Sequence, residues 1–139
     1  MTRKILKFTP EFDFNLIAIA SPENIYRLAF IINNTTGLSF EADQALTIWH
    51  PKLTEPQKFT VFVCNEEESF ITLRLISNKC ENGLLIEELK NIDYLIHLTG
   101  EINETFLKSF FKKLKQSPEI QAVYNIEPNT LVSKQKLVF

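Results

Sequence analysis

An amphipathic stretch between two alternating apolar runs dominates the second half of this chain. Asn103 opens the stretch and Pro118 closes it. Between them Phe106, Leu107, Phe110, Phe111 and Leu114 recur at helical spacing, which requires a helix with one buried stripe. Asn103 is a good cap for the free N–H groups at its start. Lys112, Lys113 and Lys115 complement the dipole at its end. On either side the period changes to two. Asp93–Thr99 aligns Tyr94, Ile96 and Leu98 on one face, and Ile120–Ile126 aligns Ile120, Ala122, Tyr124 and Ile126. Residues 94–126 therefore form a β-α-β unit of about 30 residues, and the rest of the chain must fold around it.

The first half supplies a second helix and more strands. Phe14–Ala20 is a short, nearly all-apolar run, the pattern of a strand covered on both faces. Ser21-Pro22-Glu23 then reads as a helix start, with Ser21 as cap and Pro22 in the first turn. Ile25, Leu28, Ala29 and Ile32 define its buried face, and Asn33-Asn34 with Gly37 end it. Ala45–Trp49 reads as a strand broken by His50-Pro51. Phe59–Cys64 and Phe70–Ile76 read as a hairpin joined by the polar loop Asn65–Ser69. Leu84–Leu89 fits a short strand or a helical turn. The order β-α-β-β-β-β-α-β predicts an α+β fold: a mostly antiparallel sheet with two helices packed on one face, ferredoxin-like in character.

The chain has 139 residues with no linker or repeat, which predicts a single domain over residues 1–139. A net charge of −2 disfavours a broad nucleic-acid surface. No apolar run is long enough for a membrane span, and no leader pattern stands at the N-terminus. Cys64 and Cys80 are too few for a disulfide scaffold, so reduced, inert thiols in a cytoplasmic protein are expected.

No catalytic motif stands out. His97 follows Asp93 by four residues, but on a strand that spacing is roughly 13 Å and forbids a direct hydrogen bond. The bland reading is a histidine on the less buried sheet face. Asp93 most simply anchors the start of its strand by accepting from backbone N–H groups. Glu87 and Glu88 lie in a connection, and Glu66-Glu67-Glu68 in a loop. His50 precedes Pro51 in a turn and is expected to face solvent. No glycine-rich phosphate loop exists, so no cofactor is expected, and the two histidines lack metal-ligand spacing. Twelve phenylalanines are many for this length. Phe40, Phe62 and Phe70 are candidates for a sheet face left open by the helices, and such a face calls for self-association.

Residues 86–94 read Ile-Glu-Glu-Leu-Lys-Asn-Ile-Asp-Tyr. The segment resembles the signature of the IPExxxVDY family, small bacterial proteins of unknown function. Ile86, Glu88, Asp93 and Tyr94 match it; Glu87 replaces its proline and Ile92 its valine. Phe12-Asp13-Phe14, Tyr26-Arg27-Leu28-Ala29, Gly83-Leu84-Leu85 and the ending Ser133-Lys134 to Phe139 are similar as well. The resemblance implies a one-domain cytoplasmic protein and brings no substrate, cofactor or catalytic residue.

Two arrangements of the signature follow. In one, Arg27 or Arg74 pairs with Glu88 or Asp93 and fixes the segment against the first helix. In the other, Tyr26, Arg27 and Tyr94 line a pocket in which Arg27 binds a small anion. The expected function is a non-catalytic, self-associating module, a dimer, that binds a protein or small ligand. The ligand-binding candidates are Tyr26, Arg27, Glu88, Asp93, Tyr94 and His97. The alternative is a metal-assisted enzyme, which requires Glu88, Asp93 and His97 to converge.

Overall fold

The computed structural model of the chain describes residues 14–66, 70–137 and 139. The expectations on residues 1–13, on Glu67, Glu68 and Ser69 of the polar loop, and on Val138 lie outside the described residues.

The elements run β1 (Asn15–Ala20), α1 (Ile25–Thr36), β2 (Glu41–Ala42), β3 (Leu46–His50), β4 (Glu55–Phe59), β5 (Val61–Glu66) and β6 (Ile71–Ser77). They continue β7 (Lys79–Cys80), β8 (Gly83–Leu84), β9 (Tyr94–Gly100), α2 (Glu104–Lys115) and β10 (Ala122–Ile126), followed by two short 3-10 turns. The main sheet has six strands in the order β10-β1-β9-β6-β5-β2, and every neighbouring pair is antiparallel. β9 and β10 flank β1, so the β9-α2-β10 unit is split by the first strand. The central order β10-β1-β9-β6 with two helices on one face is compatible with ferredoxin-like character.

The α2 expectation holds closely. Asn103 Oδ1 accepts from the Phe106 N–H at 2.7 Å, and Phe110 and Leu114 are buried. α1 begins later than Ser21 predicts. Asn24 is the cap, accepting from the Arg27 N–H at 2.9 Å. Ser21 is drawn elsewhere: its hydroxyl donates to the Glu119 carbonyl at 2.7 Å, tying β1 to the segment before β10. Gly37 ends α1 in the left-handed region, at φ 79°, as a glycine cap should.

Both sheet faces are covered. On one, α1 and α2 bury Ile17, Ile19, Leu73, Leu75, Tyr94, Ile96 and Leu98. On the other lie Leu16, Ala18, Ile76 and Leu95, under the β3–β4 hairpin, residues 85–92 and the C-terminal turns. The open sheet face expected from composition is therefore corrected: the chain covers it with its own segments. Phe40 and Phe62 belong to the helix-side core, and only Phe70 of the three is exposed. Leu84–Leu89 is neither element in full. Leu84 alone of it pairs, with Gly83 as β8, and Leu85 and Ile86 then plunge into the second core. Leu137 is buried there as well.

Candidate functional site

The signature segment is organised by Asn78, a fully buried residue in the turn between β6 and β7. Its Nδ2 donates to the Leu89 and Ile92 carbonyls, both at 3.0 Å, and its Oδ1 accepts from the Ile86 N–H at 2.8 Å. Its backbone adds bonds to Leu85 and Asp93. A buried amide is favourable only when its donors and acceptors are matched, and here they are. Nothing in the stretch Ser77-Asn78-Lys79 distinguishes this residue from an ordinary turn asparagine. Its role exists only because 86–92 folds back onto it.

The signature residues then reach outward in different directions. Glu88 accepts from the Val132 and Ser133 N–H groups and from the Ser133 hydroxyl. Partial burial pushes its carboxyl up, but these hydrogen bonds outweigh it and hold the group below its ordinary value. Asp93 accepts from the Ser21 N–H at 2.8 Å, as a strand anchor should, and pairs with Lys79 Nζ at 2.8 Å. The Tyr94 hydroxyl donates to the Glu23 carbonyl at the start of α1. Burial, then the negative charges of Asp93 and Glu23, raise the Tyr94 phenol.

The expected arginine–signature pair is not formed. Arg27 pairs with Glu23, just before the cap of α1, at 3.3 Å in an exposed i,i+4 contact. Tyr26 is 68% exposed and meets Phe62 edge-on at 5.5 Å. Tyr94 is buried and engaged with Glu23, so Tyr26, Arg27 and Tyr94 do not share one pocket wall. Arg74 stands opposite His97 across β6 and β9, with its guanidinium 4.5 Å from the Phe139 ring centre.

His97 is 1% exposed, which corrects the expectation of a lightly covered histidine. The Phe14 and Phe139 rings pack against it at 4.3 and 4.9 Å. Neither ring nitrogen meets a well-aligned hydrogen-bond partner among the described residues, although the Leu137 and His97 backbone lies near enough to favour the protonated ring in part. Burial, with the Arg74 charge second, lowers its pKa to about 4, so the ring is neutral at pH 7. Glu88, Asp93 and His97 are thus held by three separate sets of partners. Among the described residues no group of three or more His, Cys, Asp or Glu side chains could hold a metal.

Cys64 and Cys80 are free thiols. Burial raises Cys64, the Ser39 backbone opposes this in part, and Glu66 and Glu41 add to the rise. That is the setting of an inert thiol.

Between α2 and β10, a groove of about 560 Å³ is lined by Leu107, Phe111, Glu104, Lys112, Lys115 and Asn125. The lysines of α2 are exposed, as expected of a solvated face. No helix among the described residues is long and apolar enough to cross a membrane. No protein-family model matches the chain, and no curated protein matches it.

Proposed function

We propose that this chain is a non-catalytic, self-associating module of a reducing cytoplasm, one that binds a protein or small ligand rather than transforming it. Strand β10 carries the reading. It bonds to β1 on one side, and among the described residues it pairs with nothing on the other. Its sequence, Ala-Val-Tyr-Asn-Ile, has no charge, proline or glycine. Edges of monomeric sheets are normally short, charged or interrupted, because a free edge templates pairing. The opposite edge follows that rule: β2 has two residues and one is Glu41.

A two-fold axis normal to the sheet pairs β10 with β10 of a second copy, antiparallel, and keeps all helices on one side. The same axis sets α2 antiparallel to its copy. Glu104 at the start of one helix then faces Lys112 and Lys115 at the end of the other, so unlike charges meet. The Leu107–Phe111 groove takes apolar side chains of the second copy. The free thiols fit a reducing compartment. The likeness of residues 86–94 to the IPExxxVDY signature supports the same assignment, since that family is one of small cytoplasmic proteins. The metal-assisted alternative has no observation in its favour, because Glu88, Asp93 and His97 are each engaged by other groups or packed among rings.

Native mass spectrometry and sedimentation of the purified chain test this reading. The expected result is a dimer that Tyr124→Lys, at an exposed edge position, converts to a folded monomer. A wild-type monomer at about 100 μM, far above a typical specific Kd, overturns self-association. A dimer that survives both Tyr124→Lys and Leu107→Asp overturns the edge as its seat.

A further inference from the structure

Strand β3 pairs with β4 on one side and, among the described residues, with nothing on the other. A proline fixes which of its backbone groups are left over. Pro56 lies opposite Trp49 and has no N–H, so these two residues do not exchange hydrogen bonds. The bonded pairs are then Ile48 with Gln57, Leu46 with Phe59 and His50 with Glu55. The N–H and C=O of Thr47 and Trp49 therefore point away from β4. No described residue bonds to these four groups. The strand reads Leu-Thr-Ile-Trp-His, with no Lys, Arg, Asp, Glu, proline or glycine to guard the edge.

A cleft of about 390 Å³ lies along this edge. Ile48, Trp49 and His50 line it in unbroken succession. Successive residues of a strand turn to opposite faces, so a cleft touching three in a row meets the strand at its edge. Its other walls are Gln57, Glu87 and residues 132–136. The charges around it balance: Lys52 and Lys136 stand against Glu87 and against Glu88, which is bonded to Val132 and Ser133. The cleft therefore does not select an ion. Its exposed apolar groups are Trp49, 60% exposed, and Val132, 89% exposed.

We infer that the β3 edge takes one extended, uncharged segment of a partner protein as an added strand. The segment's backbone bonds to Thr47 and Trp49, which supplies affinity, and its alternating side chains supply selectivity. Those on one face meet Ile48 and Val132, and those on the other meet Trp49. Residues 132–136 leave space for a single chain. A second copy's β3 carries the same segment beside its own edge, so it does not fit there. The inference rests on the protein-binding part of the proposed function and gives it a place. It does not depend on self-association through β10.

The purified full chain is used to select binders from a displayed library of random decapeptides, and enriched peptides without tryptophan are synthesised. Trp49 is the only tryptophan in the chain, so its fluorescence reports on this edge. The expected result is a peptide that changes this fluorescence saturably and shifts the Thr47 and Trp49 amide resonances. N-methylation of one set of its alternate amides removes two or more hydrogen bonds and weakens binding about tenfold or more. Thr47→Pro removes an outward N–H, spares every β3–β4 bond and weakens binding by a similar factor. If Thr47→Pro fails to fold by circular dichroism, Val132→Lys, at an exposed position, decides. No enriched peptide, binding that survives N-methylation of either alternate set, or a folded variant that binds like wild type overturns the inference. Peptides whose shifts fall on Ala122–Ile126 also overturn it, while leaving the chain a protein-binding module. A monomeric chain that passes these tests overturns self-association alone.

Discussion

Glu88 and Ser133, 45 positions apart, are joined twice: the serine hydroxyl donates to Oε1 at 2.9 Å and its N–H to Oε2 at 3.0 Å. With the Val132 N–H on the same oxygen, one carboxylate holds the start of the C-terminal segment. Leu131 and Leu137 bury in the second core on either side of this tie.

Glu88→Ala is expected to destabilise the chain by about 1 kcal/mol, a modest value because the carboxylate is largely solvent-exposed. The local effect is larger. Amide exchange at Val132 and Ser133 should accelerate well beyond the global change. Because the folded pKa is lowered, the contribution is present above the ordinary carboxylate value and is lost as pH falls through the folded one. Unchanged exchange at these two amides would show that the tie does not hold the segment.

His97 sets a second pH dependence. Its folded pKa of about 4 lies below the unfolded 6.5, so the folded state binds fewer protons in that window. Stability is full above about pH 6.5 and falls as pH drops toward 4, by a total of about 3 kcal/mol. Other groups titrate there too, so the comparison is with His97→Leu, which fills the space between Phe14 and Phe139 without a titrating ring. Urea midpoints of the two proteins should diverge from their neutral-pH difference as pH falls, with wild type losing more. Parallel pH profiles would remove the burial account.

Asn78→Leu strands the Ile92 carbonyl and the Ile86 N–H in one step, while the Leu89 carbonyl keeps the Ile92 N–H at 3.2 Å. Each unpaired buried group costs about 1–3 kcal/mol, so a loss of at least about 2 kcal/mol is expected in chemical denaturation. Asn78→Asp keeps the Ile86 acceptor but loses the Nδ2 donors and buries a charge, so it is expected to be as harmful as leucine.

Two glycines with positive φ should respond differently to alanine. At Gly100, φ is 102° and an added Cβ would stand 2.0 Å from the Phe70 carbonyl oxygen, which belongs to backbone and cannot swing away. At Gly37, φ is 79° with open space around it. Gly37→Ala should cost about 1 kcal/mol from the backbone conformation alone, and Gly100→Ala clearly more, through the shift it forces at the β6–β9 end. Thermal melts that rank the two the other way round would contradict the steric account.

Much of the architecture is legible from local pattern. The stripe from Phe106 to Leu114, its cap Asn103 and the alternation in 94–100 each announce an element, because periodicity and capping are properties of a few neighbouring residues. The ambiguity at 84–89 has the same origin: a segment whose backbone bonds go to a distant asparagine carries no period of its own.

By itself, then, the sequence determines two helices, the alternating strands around them and the α+β class. Tertiary structure alone decides what those elements face. His97 reads as a lightly covered strand residue until Phe14 and Phe139, from opposite ends of the described chain, close over it. Asp93 finds Ser21 across 72 positions, and Glu88 finds Ser133 across 45. The physical reason is that hydrophobic burial is non-directional. It specifies that an apolar face be covered but not by which segment, and the partner of each polar group follows only from the path the chain takes to cover it.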